Sequence, residues 1–357
     1  FLYLSFNHSG TKADKVNQEI GAKNFYYEKD KVFILKKLSF NDESINFFTS
    51  FEKENSVEKI LETLEKEKIS FVTKLSENFP KRLKEIDSCP AVIFYKGKFP
   101  SFEDDFSISV VGTRKFTNYG KRAVEKVVGE LVENGIVIIS GLAIGIDSLA
   151  HKVSVANKKR TVAVLAGGID DKSLFPQENL KLSKEILETN GALISEYFVG
   201  YPSLTQNFPA RNRIVSGLSL GTLVIEAPEK SGSLITASFC VNQGKELFVV
   251  PGSIFEANSV GSNNLIKSGA YLVDSGRDIL DHYGIKSVSE INSAKEYFPS
   301  TKEEEKIIEI LKKGPEQIDE IAILSGISPN EVSSTMTMLE IKGIVKNEGG
   351  GFYRILI

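Results

Sequence analysis

The sequence predicts an α/β protein built on a parallel, doubly wound sheet, and three observations predict it. Six short apolar runs recur through the middle of the chain, at residues 107–111, 136–140, 161–165, 192–196, 222–227 and 246–250. Each is nearly continuous rather than alternating, the pattern of a strand that helices cover on both faces. Helical patterns lie between them. Residues 119–134 place Val124, Val127, Val128, Leu131 and Val132 on one side and close at Gly135; residues 147–157 follow, and residues 180–190 close at Gly191. The third observation is the alternation itself. Strands alternating with helices join by right-handed crossovers into one parallel sheet of the Rossmann-like kind.

The last stretch follows a different rhythm. Residues 302–313 form a helical pattern ending at Gly314 and Pro315, and residues 317–324 form a second one ending at Gly326. Ser328 is set to cap a third helix reaching Lys342, with Pro329 in its first turn and Glu331 three residues after the cap. Residues 344–346 and 352–355 flank a Glu-Gly-Gly-Gly turn and predict a hairpin. Three helices and a hairpin make a winged-helix-like unit. The expected organisation is a small, mostly helical N-terminal domain over 1–75, of helix-hairpin-helix type, then a Rossmann-like domain over 76–286. A polar linker over 287–300 leads to the winged-helix-like domain over 301–357.

Composition excludes several classes. Of 357 residues, 41% are hydrophobic and 25% charged, which is ordinary for a folded protein. No apolar run approaches the roughly 18 residues of a spanning helix, and Lys12, Asp14 and Lys15 interrupt any apolar leader. Cys89 and Cys240 are too few for a disulfide framework and are expected to be buried thiols. No Cys/His group has metal-ligand spacing, and neither metal nor cofactor is expected. These features predict a cytoplasmic protein without membrane association. The net charge of −3 is not the basic balance of a protein that coats duplex DNA through many phosphates. A nucleic-acid site must therefore be a local pocket.

In open parallel sheets, ligands bind beyond the carboxyl ends of the strands. The first predicted strand is followed by Gly112, Thr113, Arg114 and Lys115, the second by Ser140 and Gly141 on to Asp147, and the third by Gly167 and Gly168. Small residues there let backbone N–H groups approach an anion at a helix N-terminus. Arg114 adds a planar guanidinium suited to a phosphate or a base. The alternative is that these glycines serve tight turns alone. The absence of G-x-G-x-x-G and of G-x-x-x-x-G-K-[ST] argues against a dinucleotide cofactor and P-loop hydrolysis. The densest signal is Phe208-Pro209-Ala210-Arg211-Asn212-Arg213, just before an apolar helical run. A salt bridge accounts for one arginine, but two at a helix start oppose its dipole unless an anion joins them. Lys230-Ser231-Gly232-Ser233, after the strand at 222–227, adds a further small-residue turn on the same face.

These residues carry a resemblance. The run Val111 to Arg114, then Ser140-Gly141 to Asp147, His151, Ala166-Gly167-Gly168, Phe208 to Arg213, Lys230 to Ser233, Val250-Pro251-Gly252, and Gly261-Ser262-Asn263 to Gly269-Ala270 is similar to the DprA (Smf) family of DNA-processing proteins. Upstream, Phe79-Pro80, Leu83, Ile86, Pro90, Tyr95 and Gly97 resemble that family's lead-in to its Rossmann-like domain. The resemblance implies single-stranded DNA binding without chemistry on the strand, homodimerisation, and loading of the recombinase RecA during natural transformation. Its partners would be single-stranded DNA, RecA and a second copy of the chain. The DNA-contacting candidates are Thr113, Arg114, Lys115, Ser140, Gly141, Phe208, Arg211, Asn212, Arg213, Lys230, Ser231 and Ser233. The chain departs from the family in having Phe175-Pro176 where Tyr-Pro is frequent, and no Lys or Arg between Tyr197 and Asn207.

Other readings compete. Gly221 to Glu226 also resembles nucleotide phosphoribohydrolases of the lysine-decarboxylase-like family, which use acidic residues to activate water. Here Val215 to Leu220 replace that family's Pro-Gly-Gly element, so a binding module is expected rather than an enzyme. A duplex regulator reading its site through the winged helix is the third option. Its third helix contains no Arg, and from Thr301 onward seven basic residues face ten acidic ones, a field that repels phosphate. His151, one turn after Asp147, is expected to pack or to hydrogen-bond Asp147 rather than to catalyse. Phe208 is expected either to stack on a base or to sit in the core.

Overall fold

The computed structural model describes residues 30–42, 57–98, 106–286, 301–342 and 344–355, with Val16, Ile45, Asn46, Thr49, Ser50 and Pro299. The chain divides into two compact units, Phe1–Ile279 and Leu280–Ile357.

The first unit opens with α1 (Lys31–Lys37), α2 (Val57–Lys66), β1 (Ser70–Thr73), the short α3 (Lys81–Lys84) and β2 (Val92–Gly97). The alternating part begins at β3 (Ser107–Val111). Helix α4 (Asn118–Ala123) runs through a π turn (Val124–Val128) into α5 (Gly129–Glu133), and β4 (Val137–Ser140) follows. Next come α6 (Ile146–Ala156), β5 (Thr161–Leu165), α7 (Leu180–Glu188), β6 (Ala192–Ser195), α8 (Asn207–Leu218) and β7 (Gly221–Val224). The unit closes with α9 (Gly232–Asn242), β8 (Glu246–Val249), α10 (Val260–Lys267), β9 (Tyr271–Leu272) and the start of α11 (Gly276–His282). All six predicted strands are present.

The strand order is β1-β2-β6-β5-β4-β3-β7-β8-β9. From β6 to β9 every pair is parallel; β1–β2 and β2–β6 are antiparallel. Strands β3 to β7 are buried along their whole length, which is why they read as continuous apolar runs. Alternate residues serve opposite faces of the sheet. Ala163, Leu165 and Leu193 join one apolar cluster with Leu35, Ile60, Leu64 and Ile186 of α1, α2 and α7. Val162, Val164 and Ile194 join the other with Ile214, Leu218 and Cys240 of α8 and α9. Both cysteines are buried thiols outside any disulfide.

Two findings depart from expectation. The domain over 1–75, read as mostly helical, ends in β1, and β1 with the unforeseen β2 extends the sheet antiparallel beyond β6. The helix over 119–134 is interrupted by its π turn. Most of the proposed helix-hairpin-helix stretch lies outside the described residues. Among the described residues, no helix is long and apolar enough to cross a membrane.

The second unit holds α12 (Lys302–Leu311), β10 (Glu316–Gln317), α13 (Ile318–Ser325), α14 (Pro329–Ile341), β11 (Val345–Gly349) and β12 (Phe352–Ile355). Its sheet runs β10-β12-β11, all antiparallel, and with the three helices gives the predicted winged-helix arrangement. Its core is built on Ile307, Leu311, Ile321, Val332, Met336, Leu339 and Val345. Ser328 caps α14 as expected: its Oγ accepts from the Glu331 N–H at 3.4 Å and donates to Glu331 Oε2 at 2.7 Å.

Candidate functional site

The winding of the sheet reverses at β3, which has β4 on one side and β7 on the other. The crevice outside such a switch point is where open α/β sheets take ligands. A cavity of about 400 Å³ lies there. Its walls are Val111 to Arg114 after β3, Ala143 and Asp147 after β4, Phe208, Pro209, Arg211 and Asn212 of α8, and Pro228 with residues 230–233 leading into α9.

The turn that carries Arg114 is held by backbone contacts. The Thr113 N–H donates to the Glu226 carbonyl at 2.7 Å, and the Thr113 carbonyl accepts from the Ile146 N–H at 3.2 Å. Gly145 has φ +105°, and a Cβ on it would lie 2.4 Å from the Thr113 carbonyl oxygen. Only glycine allows α6 to start so close to this turn.

Arg114 is exposed, and its guanidinium lies over the Phe208 ring at 5.5 Å from the centroid. Such a stack orients the cation at small cost. Phe208 is half-buried and meets half-exposed Phe175 edge-on at 5.9 Å. Lys230 is exposed and lines the same cavity. Helix α9 begins two residues after it. Ser231 caps it, its Oγ accepting from the Ser233 N–H at 3.3 Å and lying 2.7 Å from Ser233 Oγ. The partial positive charge of this helix end falls on the cavity.

Arg211 is 4% exposed and forms the floor. Its Nη1 donates to the Gly141 carbonyl at 2.7 Å and to the Val164 carbonyl, and its Nε donates to Asn212 Oδ1 at 3.2 Å. Asp147 faces it and accepts from the Gly141 N–H at 3.1 Å. Burial lowers Arg211 to about 10, opposed by Asp147 and reinforced by the neighbouring charge of Arg114. Burial likewise raises the Asp147 carboxyl, which Arg211 counters. The cavity therefore carries Arg114, Arg211 and Lys230 against the single carboxylate of Asp147. It can hold anionic oxygens on cations and helix N–H groups, with an aromatic at its edge for a base.

The other candidates lie elsewhere. Arg213 is 7% exposed and points away. Its Nη2 donates to both Glu196 oxygens at 2.8 and 2.7 Å, and its Nε to the Ser88 carbonyl at 2.8 Å. It lines a separate cavity of about 240 Å³. The reason is helix phase. Helix α8 starts at Asn207, so Arg211 and Arg213 lie inside it rather than before it. Residues two apart on a helix face opposite ways. Ser140 is buried with its Oγ on the Val110 carbonyl at 2.6 Å. A Cβ on Gly141 would lie 2.4 Å from Arg211 Nη2. Gly141 thus makes room for a protein cation, and neither it nor Ser140 lines the cavity. Gly167 and Gly168 are filled the same way, by Ser203 and Tyr201 and by Asp170 and Phe198. Lys115 is exposed just outside the cavity, its carbonyl accepting from Asn258 Nδ2 at 2.8 Å.

His151 is buried, but its partner is not Asp147. Its Nδ1 lies 2.7 Å from Thr161 Oγ1, whose proton goes to the Ile138 carbonyl at 2.7 Å. The Nδ1–H tautomer follows from that network. Burial holds the imidazole neutral, lowered to about 3. Glu226 is 2% exposed. It accepts from the Thr117 N–H at 2.9 Å and Thr117 Oγ1 at 2.5 Å, and it is not a lining residue. Sequence reasoning missed Asp147 as the partner of Arg211; its place in the first turn after Gly145 was the available signal. Among the described residues, no group of three His, Cys, Asp or Glu could hold a metal ion.

Comparison with known proteins agrees on one family. The family model for DNA recombination-mediator protein A matches residues 70–284, and the DprA winged helix domain matches residues 293–351. The DNA processing protein DprA of Bacillus subtilis (strain 168) is 39% identical over 230 residues, covering 64% of this chain and 76% of that protein. The crystal structure of DprA from Streptococcus pneumoniae superposes with a TM-score of 0.65 at 32% identity, covering 78% of this chain and 95% of that one. DprA from Helicobacter pylori, solved for its single-stranded DNA binding mode, gives a TM-score of 0.53 at 28% identity over 60% of this chain and 95% of that one.

Proposed function

The chain belongs to the DNA recombination-mediator protein A (DprA/Smf) family, and from that premise we propose that it binds single-stranded DNA in the cavity at the switch point. One observation carries the reading: exposed Arg114 and Lys230 converge with the N-terminal turn of α9 on one crevice. Phosphates meet Arg114, Lys230 and the Ser231–Ser233 turn, with Thr113 and Asn212 beside them, and an unpaired base meets Phe208. Arg211 shapes the floor and adds charge. Ser140, Gly141 and Arg213 hold the surroundings, and Lys115 extends the positive rim. A stiff duplex does not fold its backbone into such a crevice, whereas a single strand does.

In this reading the protein is a binder rather than an enzyme, because Glu226, the acid that N-glycosidic hydrolysis would draw on, is spent on Thr117. It acts in the cytoplasm as a homodimer, protects incoming strands and hands them to RecA during transformation. The stretch 76–286 is the working domain and 301–357 an accessory one. The H. pylori relative, solved for its single-stranded DNA binding mode, supports this reading. The test is a binding titration with single-stranded and duplex oligonucleotides of equal length. The single strand is expected to bind far more tightly, and equal affinity overturns the proposal. Incubation with nucleoside monophosphates is expected to release no free base.

A further inference from the structure

We propose that the loop at residues 253–257, between β8 and α10, is a second contact surface for single-stranded DNA, on which an unpaired base stacks against Phe255. The inference rests on the single-strand reading of the cavity and lengthens the path that reading implies.

Strand β8 lies parallel to β7, so its carboxyl end opens on the same edge of the sheet as the cavity. The loop that follows is tied to both rims. On one side the Gly261 and Ser262 N–H groups donate to the Ala227 carbonyl at 2.8 and 3.2 Å. A Cβ on Gly261 would lie 2.7 Å from the Ala227 and Pro228 carbonyl oxygens, and Pro228 is part of the cavity wall. On the other side Asn258 Nδ2 donates to the Lys115 carbonyl at 2.8 Å, next to Arg114. Gly252 and Asn263 clasp the base of the loop, N–H to Oδ1 at 3.1 Å and Nδ2 to carbonyl at 3.0 Å. The tip is turned by the Glu256 N–H on the Ser253 carbonyl at 3.1 Å.

On this anchored support Ile254 is 81% exposed and Phe255 90% exposed. An aromatic held this far into water is set to meet something flat and apolar. Charge selects the occupant. Arg114 and Lys115 are exposed on the neighbouring turn and draw a phosphate backbone out of the cavity in this direction. Glu256, next to the ring, disfavours a phosphate at the tip. The ring is therefore left for a base. In a duplex, base faces are covered by their neighbours, so the surface adds affinity for single strands alone and without sequence preference.

The chain contains no Trp, so Phe255→Trp provides a sole tryptophan reporter at the tip. Saturable quenching of its emission by oligothymidylate, and none by duplex, is the expected result. Phe255→Ala is expected to weaken single-strand affinity about tenfold with an unchanged melting temperature, the loss typical of one base–aromatic stack. Unquenched emission with full affinity in Phe255→Ala overturns the proposal. Arg114→Ala, measured alongside, separates the two readings: if it alone loses affinity, the cavity assignment stands and the loop assignment falls; if neither variant loses affinity, both fall. A lower sedimentation mass of DNA-free Phe255→Ala makes the loop a contact between copies of the chain and overturns the proposal as well.

Discussion

Arg114, Arg211 and Arg213 share a side chain but not an environment, and their variants should separate accordingly. Arg213→Ala leaves Glu196, itself pushed up by burial, as a buried carboxylate without its partner. Losing one member of a buried pair costs about 3–5 kcal/mol, so a much lower melting temperature is expected, with unchanged affinity per folded molecule. Arg114→Ala should do the reverse, weakening single-strand binding while leaving stability intact. Thermal denaturation beside a binding titration reads both. The motif 208–213 was legible in the sequence, but which arginine faces the cavity was not. That depends on α8 starting at Asn207, and the expected start lay past Arg213. Phe208 resolves similarly, half-buried at the rim with one face given to Arg114.

His151 makes a prediction of its own. Its pKa falls from 6.5 to about 3 on folding, chiefly through burial and then through Arg211. Because the folded value is the lower one, the unfolded chain binds the extra proton. The stability this neutral histidine confers is complete above about pH 6.5 and is lost as pH falls toward 3. Between pH 7 and pH 5 the loss should be about 2 kcal/mol from this group alone. Melting temperatures across that window should fall less steeply for His151→Gln than for the unaltered chain. Parallel slopes would show that the imidazole is not the group titrating.

At the scale of elements, the buried parallel strands and their helices were legible because burial on both faces writes itself as uninterrupted apolar runs. Strands β1 and β2 were not. β1 is only partly buried, β2 loses its burial toward its carboxyl end, and they join the sheet by pairing with a strand about a hundred residues later in the chain, a contact that local pattern does not encode. The glycines after β4 and β5 misled for a related reason. A glycine signals that something comes close, and here Arg211, Ser203 and Asp170 come close rather than an anion. The winged-helix unit was legible through its caps, and Ser328→Ala should destabilise it by about 1 kcal/mol. Its acidic balance argues against the main DNA site. A chain ending at residue 293 should retain most of its single-strand affinity; loss of binding on truncation, with tight duplex binding by the isolated 301–357 segment, would move the site to that unit.

At the scale of the whole molecule, the net charge of −3 and a phosphate-binding role are reconciled by concentration of charge. Arg114, Arg211 and Lys230 face the single carboxylate of Asp147 where the strand order reverses, so the site is locally positive within a chain of negative net charge. Affinity should therefore depend on few phosphates and respond moderately to salt, unlike that of a protein that coats duplex DNA. The most direct test is the salt dependence of single-strand affinity for the unaltered chain and for Arg114→Ala with Lys230→Ala combined. Each phosphate contact on a single strand contributes about 0.7 to the slope of log affinity against log salt. The double variant should therefore bind weakly, with a slope lower by about 1.4 and an unchanged melting temperature. Full affinity and an unaltered slope in that variant would contradict the placement of DNA in the switch-point cavity.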